Sequence, residues 1–472
     1  MTSLHARMLR DPRSFLDTPY DAGFDFDTEQ LSEIHLTAIA RAFERLRPRI
    51  GALTKLAQVR GIDGIRGFNE AVSVFFPHTV YKSYALSLLD RGRYQQLTHW
   101  LGGVTALDLG HISCDGVSSL DEWIDRIEET TAIVLVHTFG TTGKLSFIPR
   151  TRREWRDGAT LVLHCIRDWN GRGPDLIKEA LPIVQPTYRG GAAAAMRGNR
   201  TLVSIFSETG PCEVEYLYPD GRFSADVASL AGRLRAAEAQ GDLGELEIPA
   251  ALRARQEEFE RLERQKPERL RQFFERVRTQ LAGRNIYLCA VWPVLFDWAQ
   301  EGLRQGLTNV FGAGSVLNTG GGTKGRALPE GWREDVLRFL GVSSCHEFYA
   351  MSELIPGCPR CAVGNYHVPP VLAPFALDLA TGELLPREKP ARGRFACFDL
   401  LATDCWGGFI TGDEVTLGGW DTPCGCGRRG PFIEPSIARI SPQAAGDDKI
   451  NCGGAPRAHE EALQYMLTRA EQ

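Results

Sequence analysis

Two glycine–threonine runs and two cysteine pairs hold most of the chain's chemistry-bearing residues. The first run, His137-Thr138-Phe139-Gly140-Thr141-Thr142-Gly143-Lys144, directly follows the apolar residues 133–136. Glycine adopts φ > 0 at no steric cost, so Gly140 and Gly143 let successive backbone N–H groups turn toward one point. Threonine hydroxyls and a lysine ammonium at that point make a cradle for an anion such as polyphosphate. The spacing G-T-T-G-K is not the Walker A pattern, and so short a match also reads as a strand-exit turn that happens to end in a lysine.

The cysteines give a second signal. Cys358 and Cys361 form C-x-x-C, and Cys424 and Cys426 form C-x-C, which together offer four thiolates at chelating spacing. Tetrahedral Zn²⁺ held by four sulfurs is the usual closed structural site. His367, in "GNYHVPP", is a fifth candidate that can displace one cysteine. Such a site would pin the loop after residue 353 to the loop after residue 415, and its metal would be structural. A redox role fits less well, because no helix of thioredoxin type follows Cys358.

These residues need a framework. Residues 1–130 read as mostly helical: "LSEIHLTAIARAFERLRPRIGAL" repeats its apolar residues at three- and four-residue spacing. From residue 131 short β-branched runs such as "TAIVLVH" and "TLVSIF" alternate with helical segments, which favours an α/β layer architecture. Residues 224–242 and 247–282 read as helices, the second a solvated pair broken near Pro267. Residues 285–325 read as strand, helix, strand and glycine-rich loop, and from about residue 393 the chain is glycine-rich with short strands.

The 472 residues allow two or three packed units, and 43% hydrophobic with 24% charged residues is ordinary for a globular protein. A net charge of -5 gives no basic footprint for nucleic acid. The start lacks a basic region followed by an apolar one, and no run approaches the roughly eighteen apolar residues of a membrane span. Twelve cysteines without a secretory signal point to reduced thiols or a metal, so a cytoplasmic enzyme is expected.

Three later motifs join the first run. "NTGGGTKG" (318–325) is a second glycine-rich loop, "EFYAMSE" (347–353) sets Tyr349 before Ser352 and Glu353, and "FITGDEV" (409–415) sets Asp413 in a glycine-flanked turn. In this order the set resembles the adenylate-forming superfamily, whose members join a carboxylate to AMP from ATP. Phenylacetate–coenzyme A ligases and the acyl-protein synthetases of bacterial luminescence are the most similar branches, over residues 130–455.

The resemblance implies an α/β fold: an adenylate-forming large domain with β-sheets flanked by helices, a small β-rich subdomain, and a C-terminal lid that is missing or vestigial. Its parts would be a helical region 1–130, a nucleotide-binding core 131–392, a β-rich subdomain 393–440 and a hinge or lid remnant 441–472. Residues 446–456 resemble the hinge and first lid strand, and too few residues follow Asp448 to make a normal lid.

The implied roles are chemically sensible. Thr138, Thr141, Thr142 and Lys144, with Gly140 and Gly143, would hold the β- and γ-phosphates and neutralise departing pyrophosphate. Tyr349 would stack on adenine, with Gly321 and Gly322 letting the ring approach the backbone and Ser352 beside it. Glu353 would help hold Mg²⁺, and Asp413 would accept hydrogen bonds from both ribose hydroxyls. Arg439 would contact the ribose or a phosphate, or serve as a surface ion pair.

Three departures stand out. His137 and Phe139 replace small serines, and Ala350 replaces a glycine. His137 is either a catalytic or substrate-contacting group or a histidine hydrogen-bonded in place. Cys452 sits where an acyl acceptor would be sought, though a buried cysteine is the plainer reading.

The function so implied is activation of a small or fatty carboxylate as acyl-adenylate with pyrophosphate release, followed by acyl transfer to a thiol or amine on CoA, a carrier protein or a protein cysteine. ATP, Mg²⁺ and structural Zn²⁺ would be the cofactors. Two alternatives are adenylation of another oxyanion such as nitrite, and a non-catalytic nucleotide-binding scaffold in a biosynthetic complex.

Overall fold

The computed structural model describes residues 3–138, 144–169, 175–208, 210–241, 247–320, 322–323, 326–343, 345–387, 389–440 and 455–470. Up to residue 130 the described chain is largely helical. Helix Thr28–Leu46 starts at a capping box, in which the Asp27 carboxylate accepts from Gln30 N at 2.8 Å. Its apolar residues Leu31, Ile34, Ile39, Phe43 and Leu46 are buried, and they share a core with Phe375 and Phe398 of a later sheet. Residues Phe76–Pro77 leave the helices to pair in parallel with Phe409–Ile410 of that same sheet.

After residue 130 the strands among the described residues form two sheets and a hairpin, with helices between them. The first sheet has the strand order Val214–Phe223, Ile183–Gly191, Tyr287–Cys289, Val316–Gly320, His346–Tyr349, Cys358–Pro359. All its pairings are parallel except the last, which is antiparallel. Buried runs such as Ile183 and Val184 suit strands covered on both faces. The second sheet has seven strands, built around Ala391–Asp399 and Gly408–Gly418. It extends beyond residues 393–440, because Tyr366–His367, Leu372–Leu377 and the early Phe76–Pro77 also belong to it. The hairpin Ile133–Thr138/Ser146–Thr151 joins the first sheet where His137 N donates to Ala192 O at 2.9 Å.

Two helices exchange carboxylates at their N-termini. Asp226, in the first turn of Ala225–Gln240, accepts from Leu120 N and Asp121 N at 2.8 and 3.1 Å. Asp121, in the first turn of Leu120–Thr130, accepts in return from Ala225 N at 2.9 Å. Each carboxylate satisfies the orphan donors of the other helix, and Arg222 and Arg255 lie 3.2 and 2.9 Å from Asp121 to balance the charge.

The expected break at Pro267 is absent: Gln256–Arg276 is one helix with Pro267 inside it. A proline removes one hydrogen bond, and buried Phe259, Phe273 and Phe274 anchor the helix on both sides of the gap. Residues 446–454, most of the segment that resembles the hinge, lie outside the described residues, as do Lys449 and Cys452. Beyond them helix Ala455–Ala470 packs on the main body, with Ala462, Leu463 and Met466 in its core. No helix among the described residues is long and apolar enough to cross a membrane.

Candidate active site

Five parallel strands end on one side of the first sheet, and in open α/β sheets ligands bind outside such carboxyl ends. A cavity of about 330 Å³ lies there. Cys289, Asn318, Thr319 and Gly320 from strand ends, and Ala350 and Ser352 after Tyr349, line it. Helices Arg152–Asp168 and Ala194–Ser207 supply one part of its wall, and Arg150, Phe348, Leu354 and Ile355 another. Gly320 has to be glycine, since a Cβ there would meet Phe348 O at 2.4 Å.

Next to this cavity in sequence, Tyr349 turns to the second sheet. Its hydroxyl donates to Asp413 Oδ2 at 2.7 Å, and Arg439 Nη1 lies 3.0 Å from Asp413 Oδ1. Asp413 and Arg439 are directly opposed across two antiparallel strands, so register alone holds this pair together. Burial, and then the Asp413 carboxylate, push the Tyr349 hydroxyl well above its usual range, so it stays a donor. Three residues predicted to surround a nucleoside thus meet at Asp413: a ring and a guanidinium on either side of a carboxylate able to accept from a diol.

Of the first glycine–threonine run, Phe139, Gly140, Thr141, Thr142 and Gly143 lie outside the described residues, as does Gly321 of the second. The hairpin ends flanking that run are described. Thr138 Oγ1 and Ser146 Oγ are buried and have no partner among the described residues. Lys144 Nζ lies 5.6 Å from the Tyr84 ring centroid, and the Tyr84 hydroxyl donates to Leu145 O at 2.9 Å. The segment 75–84, which ends in Tyr84, therefore packs beside this hairpin. Gly322 has φ +57, a conformation that favours glycine. His137 lies in the core rather than on a cleft: it is 1% exposed, its ring stacks on Phe223 at 6.4 Å, and burial pulls its pKa down to about 4. A neutral, enclosed imidazole packs the hairpin against the sheet and is poorly placed to exchange protons with a substrate. His346 is likewise held below the usual imidazole range by burial.

Glu353 is held by a residue the motifs do not contain. The Arg150 guanidinium donates to the Glu353 carbonyl, lies 3.4 Å from Asp399 and 3.9 Å from Glu154, and is itself buried with both acids. Burial pushes Asp399 up to about 6 against the pull of Arg150. This cluster ties the strand leaving the first run to the Ser352-Glu353 pair. A lone arginine at the end of "LSFIP" is the sequence signal that would have found it.

The metal-type cluster is Cys361, His367, Cys424 and Cys426, whose ligand atoms lie within 4.8 Å of one another. Cys361 Sγ is 3.9 Å from Cys424 Sγ, and Cys426 Sγ is 3.3 Å from His367 Nε2. Cys358, expected as a ligand, is absent from the group. It pairs opposite Tyr349 and packs among Leu372, Phe395 and Trp420. The Asn365 amide donates to Cys424 Sγ at 3.3 Å, and Arg429 N donates to Phe24 O at 3.2 Å, so the cluster also clasps the N-terminal region. Three thiols and one imidazole suit a tetrahedral structural zinc.

No family model and no curated protein matches the chain. Solved structures do. An open conformation of 2-hydroxyisobutyryl-CoA ligase, in complex with 2-HIB-AMP and CoA, aligns over 90% of this chain and 73% of its own at 10% identity and a TM-score of 0.51. A postadenylation structure of that ligase with R3-HIB-AMP aligns over 90% and 71% at 12% identity, TM-score 0.48. A long-chain-fatty-acid-CoA ligase from Archaeoglobus fulgidus aligns over 66% and 52% at 12% identity, TM-score 0.36. On the first of these likenesses the chain has the mixed α/β fold of an adenylate-forming ligase, as its motif order implied.

Proposed function

We propose that the protein activates a carboxylic acid with ATP, forming an acyl-adenylate and releasing pyrophosphate, and then passes the acyl group to a thiol or amine. The observation that carries this reading is that Tyr349, whose hydroxyl meets the Asp413 carboxylate that Arg439 also pairs with, stands between Phe348 and Ala350 of the cavity at the ends of the parallel strands. Asp413 would accept from the ribose hydroxyls, with Arg439 fixing its carboxylate and Tyr349 facing the base. Thr138 and Lys144, with Thr141 and Thr142, would hold the phosphates. Mg²⁺, when bound, would neutralise phosphate charge, and Glu353 is the carboxylate to help hold it. The acid carboxylate attacks the α-phosphorus and the bond to the bridging oxygen of pyrophosphate breaks. Positioning and charge neutralisation govern such a step. Gly321, Gly322 and Ser352 would border the adenylate.

The acceptor would be CoA, a carrier protein or a protein cysteine. The cluster of Cys361, His367, Cys424 and Cys426 would hold a structural zinc, with a reducing compartment such as the cytoplasm keeping its thiols available.

ATP–pyrophosphate exchange across a carboxylate panel, with and without carrier proteins, tests the reading. Exchange that depends on one class of acid supports it. Tight ATP binding with no exchange for any acid would replace it with the scaffold reading, and exchange driven by nitrite would replace the acid.

A further inference from the structure

Four glycines stand in the cavity wall, Gly158, Gly198, Gly320 and Gly357, and packing explains three of them. A Cβ on Gly158 would lie 3.1 Å from Ile355 Cγ2, one on Gly320 2.4 Å from Phe348 O, and one on Gly357 3.2 Å from Phe348 Cδ1. Gly198 is different. Beyond its own helix backbone and chain neighbours, its Cβ would meet only Trp155 Cζ3 within 4 Å among the described residues, at 3.9 Å. Its backbone does not ask for glycine either, since it lies inside helix Ala194–Ser207 and its φ is not positive. Glycine inside a helix is disfavoured relative to alanine. Nothing in the packing around Gly198 offsets that disadvantage; what the glycine leaves is open space in the cavity.

The surroundings say what that space suits. Ala194, Ala195 and Leu202 lie three or four residues from Gly198, on the same face of its helix, and also line the cavity. Trp155 and Val162 of helix Arg152–Asp168 continue the apolar wall. The polar neighbour Asn199 is already paired, its amide donating to Gln185 Oε1 at 2.5 Å. Tyr349, Asp413 and Arg439 are not among the residues lining the cavity, so the nucleoside contacts assigned above lie beside it. An apolar wall suits the hydrocarbon body of an acid better than phosphate or ribose.

We propose that Gly198 sets the size of the acid: the apolar body of the substrate lies against its Cα, in the space a side chain would fill. The acid therefore carries a body of several carbons and is not a short one such as acetate. This rests on the acid-activation reading above and names the residue that selects its substrate by size.

Straight-chain acids from acetate to tetradecanoate, in steps of two carbons, test it. ATP–pyrophosphate exchange is measured for the wild type, Gly198→Ala and Gly198→Leu, with the melting temperature of each. Gly198→Ala should melt no lower than the wild type, because its methyl has room and alanine favours the helix. In Gly198→Leu the best wild-type acid should lose at least tenfold in kcat/KM relative to the acid two carbons shorter. The scale is that of one methylene in an apolar pocket, roughly 10–200-fold. Gly198→Ala should shift the same ratio less, and KM for ATP should hold in both variants. Where Gly198→Leu melts well below the wild type, the shift in Gly198→Ala alone decides. An unchanged ratio, an equal loss for all acids, a raised KM for ATP, or acetate as the best wild-type acid would overturn the proposal while leaving acid activation standing. If no acid exchanges, acid activation fails by itself and calorimetric binding of the same acids decides the role of Gly198. Weakening that grows with chain length in Gly198→Leu supports it, and weakening independent of length, or no binding, overturns it.

Discussion

Replacing Arg150 by methionine keeps an unbranched apolar stem of similar reach and removes the charge between two buried acids. Asp399 and Glu154 are both 0% exposed, so neither can turn to water. Removing one partner of a buried ion pair costs about 3–5 kcal/mol, chiefly from the charge left behind. Here the lower end applies, since Asp399 keeps Ile355 N and Leu401 N at 2.8 and 3.0 Å, and Glu154 keeps Thr151 N and Thr403 N at 2.7 Å each. The cost must depend on pH. Asp399 already titrates at about 6 when folded, above the ordinary aspartate range, so its contribution is present in acid and lost as pH rises through about 6. Without Arg150 the folded value climbs further, the loss continues to higher pH, and each added unit costs about 1.4 kcal/mol. Urea unfolding followed by tryptophan fluorescence should therefore show Arg150→Met losing about 3 kcal/mol at pH 8 and distinctly less at pH 5. Arg150→Met with Asp399→Asn should recover more than half of the pH 8 loss. A single-variant loss below about 1 kcal/mol at pH 8, or one equal at both pH values, would refute a buried charge cluster as the clamp on Glu353.

The metal assignment separates neighbouring cysteines: elemental analysis should find about one zinc per chain, lost in His367→Ala and Cys361→Ser and retained in Cys358→Ser. Asp413→Asn should lower kcat/KM for ATP in the exchange assay by about 10–100-fold, as loss of charge-assisted hydrogen bonds does, and Tyr349→Phe by less. Burial holds His459 down at about 3, below its unfolded value, so its contribution to stability is present above about pH 6.5 and is lost as pH falls. His459→Gln should therefore take up about one proton fewer on unfolding near pH 5, measured from the pH dependence of the unfolding free energy.

Much of the fold was legible because it rests on local periodicity. The 3.6-residue spacing of Leu31, Ile34, Ile39 and Phe43 and the β-branched run 133–136 each say what they form without knowledge of a partner. Long-range pairing was hidden. Nothing near Phe76 announces a parallel strand beside Phe409, and a subdomain start at residue 393 follows composition, whereas the sheet recruits Leu372–Leu377 by backbone pairing. Pro267 misled for the opposite reason: the local rule is sound, but packing of three phenylalanines outweighs one missing hydrogen bond.

The site divides along the same line. Tyr349 and Asp413 are found by motif, yet their contact comes from the meeting of two sheets, and Arg439 joins them through strand register. The cysteines show the limit most sharply. C-x-x-C implies two thiols on one side, which requires the chain to turn between them. Cys358–Pro359 is instead a strand held opposite Tyr349, and in extended chain residues three apart face opposite ways. Cys358 therefore points into the apolar core, and Cys361, just past the strand, faces the metal-type cluster. His367 reaches the same point because its own strand pairs it with Phe432, a few residues beyond Cys426. Spacing counts bonds along the chain, whereas ligation needs direction, and direction was fixed here by which strand Cys358 had to join.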